Sequence, residues 1–249
     1  MKIEEQMPEL KPNNGQMPME LPSAPLAANP LLSDAKFVPF FFSTLMVKSL
    51  IKGTKIKTRR IVDIQDHSLD YMGVVTGWEK KNGTIAFGKK EHKEICQIIK
   101  PKAKIGDVIW VRETFNTNYN NTGFIYKADF ENPAKNKQFW KPSLFMTKKA
   151  CRLFLKIIDV KIERLKNISE EDAEFEGVNV IDYNCYENYM VNKDWFYNSM
   201  NQKSFHMIED PIGSFASLWT KINGLDSWGK NPYVWVYTFK IVECPLGFR

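Results

Sequence analysis

The stretch Gly53-Thr54-Lys55-Ile56-Lys57-Thr58-Arg59-Arg60 gathers cations, hydroxyls and a turn residue into eight consecutive positions. Such a segment suits an anion, because lysine supplies a compact point charge and arginine a planar fork that matches phosphate or carboxylate. Two other places carry charge where the local pattern does not favour it. Val108-Ile109-Trp110-Val111-Arg112-Glu113 reads as a strand that is apolar on both faces. Strand side chains alternate, so Arg112 shares a face with Val108 and Trp110, and Glu113 shares one with Ile109 and Val111. One of these two charges therefore points to the interior or to a pocket mouth, unless the two form a buried ion pair. Glu176 falls in the last turn of a short helix, where the helix dipole disfavours an anion.

Composition narrows the partners. The chain has 249 residues, a net charge of +6 and a pI near 9.0, which favours nucleic acid, nucleotides or another acidic partner. Cys96, Cys151, Cys185 and Cys244 are widely spaced and form no CxxC pair; beside only His67, His92 and His206 they predict no zinc site and no cofactor. Free thiols in a reducing compartment fit this usage. Residues 1–15 are polar and charged, and no apolar run approaches the ~18 residues that would span a bilayer. A cytoplasmic protein without a membrane partner is the expectation.

The elements that must position these residues follow from periodicity. Residues 1–36, with their Met-Pro and Ala-Pro steps, read as a disordered or loosely packed tail, and 37–249 as one domain. A strand over 37–42 leads to Ser43, a helix N-cap, and to the i,i+4 pairs Met46/Leu50 and Val47/Ile51, with Gly53 as the left-handed stop. The basic segment thus leaves a helix and enters a strand near Thr58. Insertions are expected near 63–104, 114–140 and 179–209. The first holds a hairpin whose strands, 74–78 and 84–88, flank a turn at 81–83, and the second holds a strand at 123–128. A long strand over 151–165 places Leu153, Leu155 and Ile157 opposite Phe154, Ile158, Val160 and Ile162. Ser169 caps the short acidic helix that Gly177 ends. Asp210-Pro211 opens a helix with the stripe Phe215, Leu218, Trp219 and Ile222. A final strand, 233–242, sets Tyr233, Trp235, Tyr237, Phe239 and Ile241 on one face, as core packing or as a base-stacking platform.

Gly53-x-Lys55-x-x-Thr58-x-Arg60 resembles the GxKxx(E/T)xR signature of ASCH domains. Further blocks resemble a phage and prophage subgroup of that superfamily: Phe42-Ser43-Thr44-Leu45-Met46-Val47, the run from Gly106 through Arg112-Glu113-Thr114, Trp140-Lys141-Pro142-Ser143, Ser169-Glu170-Glu171-Asp172-Ala173, and Asn231-Pro232-Tyr233-Val234-Trp235. The resemblance implies an α+β, PUA-like fold: a small mixed β-barrel flanked by short helices, with long insertions. It also implies RNA or nucleoside-type ligands.

One ASCH branch hydrolyses the amide of N-acetylated cytidine, and its working residues fall here on Lys55, Thr58 and Glu176. The resemblance thus implies a Thr58 nucleophile, a Lys55 base and a Glu176 acid. Arg60, Arg112, Glu113 and Trp235 are the substrate-binding candidates, and Lys52, Lys57 and Arg59 a rim for nucleic acid. Lys55 and Thr58 can meet only if a tight turn follows Gly53, since odd separations in a strand face opposite ways. The alternative is a non-catalytic module that binds nucleic acid or a host protein. The sequence carries no sign of an oligomeric state.

Overall fold

The computed structural model describes residues 35–64, 70–74, 85–89, 94–118, 120, 122–130, 139–182, 185–190 and 207–248. The tail to residue 34, the turn at 81–83 with 75–78, and parts of the segments 114–140 and 179–209 lie outside the described residues. In chain order the strands are β1 (Phe37–Phe41), β2 (Lys57–Ile61), β3 (Asp70–Val74), β4 (Ile85–Lys89), β5 (Glu94–Ile99), β6 (Val108–Arg112), β7 (Phe115–Thr117), β8 (Phe124–Tyr126), β9 (Phe154–Arg164), β10 (Val180–Asp182), β11 (Cys185–Glu187), β12 (Met207–Ile208) and β13 (Tyr233–Val242). Among the described residues the α-helices are α1 (Thr44–Ile51), α2 (Glu170–Phe175) and α3 (Pro211–Asn223).

A mixed α+β architecture results. Five strands form the central sheet in the order β1-β6-β9-β13-β2, and the segments 63–104, 114–140 and 179–209 carry the small sheets β3-β4-β5, β7-β8 and β10-β11-β12. Strand β6 is buried along four of its five residues, as its two apolar faces require, and it pairs parallel with β1 and antiparallel with β9. The remaining ladders of the sheet are antiparallel.

Strand β13 divides the core. Trp235, Tyr237 and Phe239 pack with Phe40, Phe42, Leu50, Val111 and Leu155, while Val234 and Val236 pack with Ala173, Phe215, Leu218 and Trp219 beneath α2 and α3. Trp235, Tyr237 and Phe239 of the aromatic stripe are thus core residues, whereas Ile241 is 45% exposed. Ile222, expected in the α3 stripe, is 48% exposed, because the last turn of that helix runs past the cluster.

One face assignment changes. Pairing steps from Thr238↔Asp159 to Phe239↔Ile157, which leaves Ile158 as the extra residue of a β-bulge, 49% exposed. A bulge inserts one residue and resets the alternation. Leu155 and Ile157 consequently share the core cluster with Val160 and Ile162, which strict alternation places on the opposite face.

The described strands form no closed barrel, and β1 and β2 are the free edges of the sheet. Side chains span the seam between them. Arg60 Nη2 donates to the Phe41 carbonyl at 2.8 Å, and Lys102 Nζ donates to the Pro39 carbonyl at 3.2 Å. Among the described residues no helix is long and apolar enough to cross a membrane.

Candidate functional site

The turn after α1 is set by Gly53, whose φ of +76° is a left-handed value that glycine adopts without strain. The N–H groups of Thr54 and Lys55 both donate to the Ser49 carbonyl, at 3.1 and 3.2 Å, and Ile56 N–H donates to the Phe175 carbonyl at 2.9 Å. This reversal threads Lys55 between α1 and the end of α2, where it is wholly buried. Its Nζ donates to Glu176 Oε2 at 2.7 Å and to the Glu176 carbonyl at 2.8 Å. Glu176 is the C-cap of α2 and is 2% exposed. The anion that sits badly against the helix dipole is thus held by cations from another part of the chain.

Alternation along β2 sends Lys57 and Arg59 to the α2 side and Thr58 and Arg60 to the other. Arg59, 4% exposed, joins three carboxylates: Glu176 Oε1 at 3.1 Å, Glu163 Oε1 at 2.6 Å and Asp172 Oδ2 at 2.6 Å. Lys57 also pairs with Asp172, and Lys161 lies 3.3 Å from Glu163 and 3.6 Å from Asp172. Asp172 and Glu176 are four apart on α2 and so share the face turned to the sheet. By sequence, Lys57 and Arg59 belong with Lys52 to a nucleic-acid rim. The structure corrects it, since Arg59 is buried and saturated and Lys57 is half-buried and paired, whereas Lys52 is exposed.

Burial pushes the Lys55 ammonium below its ordinary value, against the pull of Glu176, and the charges of Arg60 and Arg59 push the same way. Arg59 moves up: burial opposes its charge, but Glu176, Glu163 and Asp172 outweigh it. Asp172 moves down although burial works the other way, because Lys57, Arg59 and Lys161 favour its charge. A depressed carboxyl contributes stability that is complete above its unfolded value, here 3.8, and is lost as pH falls through the folded value. Below pH 3.8 the urea midpoint of the wild type should therefore fall more steeply with acid than that of Asp172→Asn. Parallel slopes would remove Asp172 from the stabilising network.

Thr58 lies opposite Tyr237 in the β2–β13 ladder and is 1% exposed. The tight turn after Gly53 is present, yet Lys55 bonds Glu176. Among the described residues no hydrogen bond joins Thr58 to Lys55 or to Glu176.

Beyond Thr58 the seam opens into a cavity of about 280 Å³ whose walls include Arg60, Lys100, Lys102, Trp235 and Tyr237. The Arg60 guanidinium lies 5.2 Å from the Phe40 ring centroid and 5.1 Å from that of Phe42. Its Nε is buried without a partner among the described residues. No carboxylate pairs with it there, and burial lowers its pKa from the ordinary value, partly offset by Glu176 and Tyr237. Trp235, 5% exposed, serves as part of the floor, and burial pushes the Tyr237 hydroxyl up to about 12.

Arg112 and Glu113 stand apart from this cavity. Arg112 lies 4.8 Å from the Phe41 ring and donates to the Leu144 carbonyl. Glu113 is the member of the pair that points inward, and it takes both forks of Arg152 at 2.9 and 3.0 Å. The inner ion pair is therefore Glu113–Arg152, a partner that the adjacent Arg112 concealed. Asp172 was legible by its i,i+4 spacing to Glu176. Glu163, Lys161 and Lys102 carry no such signal, since only strand register and the seam bring them to β2. Among the described residues no group of His, Cys, Asp and Glu could hold a metal.

Comparison of the chain with protein-family models, with curated proteins and with solved structures returned no match.

Proposed function

We propose that the chain is an ASCH-type protein of PUA-like fold that binds RNA or a modified nucleoside in the cavity at Arg60. The signature spacing from Gly53 to Arg60 and the mixed five-stranded sheet support the family. One observation carries the binding reading: a guanidinium held on two aromatic rings and one carbonyl, without a carboxylate, faces a cavity that also has Lys100 and Lys102 in its wall. A charge left uncompensated beside a cavity is available to an anionic or carbonyl-bearing ligand.

Arg60→Ala should weaken binding of mononucleotides and short RNA by roughly 10- to 100-fold, the worth of one charged hydrogen-bond pair. Titration by calorimetry and fluorescence anisotropy reads it. Unchanged affinity for every probe would refute the site.

A second reading, amide hydrolysis by Lys55, Thr58 and Glu176, is favoured by the buried Lys55 with its lowered pKa beside Glu176. It requires Lys55 to leave Glu176, whose oxygens are both engaged. Release of the acyl group from acylated nucleosides, lost in Lys55→Ala and in Thr58→Ala, tests it. No turnover by the wild type on such a panel leaves binding as the function.

A further inference from the structure

A second cavity, of about 470 Å³, adjoins the first. Ile61 lines both and is 47% exposed. The second cavity lies at the C-terminal end of β2, between Ile61, Val62, Arg164, Asn223 at the end of α3, Lys230 and Tyr233. Strand β2 is a free edge of the sheet, so the two hollows meet at Ile61 on an edge that pairs with no other described strand.

The described arginines divide into two kinds. Arg59 and Arg152 are saturated by carboxylates. Arg60, Arg112 and Arg164 are not, and Arg112, over the Phe41 and Trp110 rings with the Leu144 carbonyl beside it, lines neither cavity. Arg164 lies 3.8 Å from the Tyr233 ring centroid and gives one N–H to the Asn231 carbonyl at 3.2 Å, with no carboxylate among the described residues. Arg60 has the same arrangement, rings beneath it and one carbonyl at its side. Each cavity thus has one such arginine in its wall, and each adds lysine: Lys100 and Lys102 in the first, Lys230 in the second. Asp63 is the one carboxylate among the described walls.

We propose that the two cavities are one groove for a single-stranded oligonucleotide, which passes Ile61 at the edge of β2 with one backbone phosphate at Arg60 and another at Arg164. The proposal rests on the reading of the Arg60 cavity and adds to it the second cavity at Arg164. Aromatic rings hold the planar guanidinium groups in place without consuming their donors, and the remaining donors match a phosphate. Salt dependence follows from the same contacts, since each phosphate neutralised releases counterions.

Anisotropy with a labelled single-stranded RNA of about eight nucleotides, beside calorimetry with a 5′-mononucleotide, tests it. The wild type should bind the oligonucleotide at least about tenfold more tightly than the mononucleotide. Arg164→Ala, and independently the exposed Lys230→Glu, should bring that ratio near one and lower the salt slope by about one each. Arg60→Ala should weaken both probes. A ratio that survives Arg164→Ala and Lys230→Glu overturns the groove while the Arg60 cavity stands. Loss of neither probe in Arg60→Ala overturns the cavity itself. Equal affinity of the wild type for both probes also overturns the groove.

Discussion

Glu176→Ala is expected to lower the unfolding free energy by roughly 3–5 kcal/mol, the scale for removing one partner of a buried ion pair. Lys55 would then be wholly buried with only the carbonyl of residue 176 to accept from it, and Arg59 would lose one of its three carboxylates. An ammonium without its counterion inside the protein must deprotonate or draw in water, and either course costs stability. Urea unfolding measures the effect. Glu176→Gln should fall between, because the amide keeps an acceptor for Lys55 but not the charge. Lys55→Met should cost much less than Glu176→Ala, since it removes a buried cation, keeps the volume and leaves Glu176 paired with Arg59. If Lys55→Met proves the more damaging, packing rather than charge governs this site.

Gly177→Ala should be nearly as severe. Gly177 follows Glu176 with φ of +82°, a left-handed conformation that costs a residue with Cβ about 1–2 kcal/mol. A Cβ there would also stand 2.7 Å from Ser49 Cβ and 2.8 Å from Lys55 Cβ, closer than real Cβ contacts come. Both neighbours are fixed: Ser49 Oγ donates to the Gly177 carbonyl at 2.8 Å, and Lys55 is clamped by Glu176. Overpacking adds roughly 1–3 kcal/mol, so a total of about 2–5 kcal/mol is expected from urea unfolding. Asparagine separates the two causes. It tolerates the left-handed region better than alanine, yet it brings the same Cβ, so Gly177→Asn should remain strongly destabilised. Recovery in Gly177→Asn to within ~0.5 kcal/mol of wild type would assign the effect to backbone strain alone and deny the close approach of α1 to α2.

Much of the local structure was legible. Ser43, Ser169 and Asp210 each cap the helix that follows them, and Gly53 and Gly177 each take the left-handed turn that ends one. These features depend on a few neighbouring residues, so short-range chemistry suffices to read them. Strand β13 matched its expected span for the same reason, a period of two sustained over ten residues. The bulge at Ile158 was hidden, because it is set by pairing with β13 and leaves no mark on the composition of β9.

For the site, sequence by itself determined which residues are chemically equipped: the Lys55-to-Arg60 segment, the misfit of Glu176 at a helix C-terminus, and the inward charge beside Arg112. Tertiary structure decided what each one does. Arg59 and Arg60 are adjacent and of one type, yet alternation turns the first into a carboxylate cluster and the second toward a cavity. Their partners come from positions more than a hundred residues away on α2 and β9, or across the seam on β1, and the desolvation that shifts Lys55 exists only once those elements have packed. The charge of a side chain belongs to its residue type, whereas its compensation belongs to the long-range contacts of the fold.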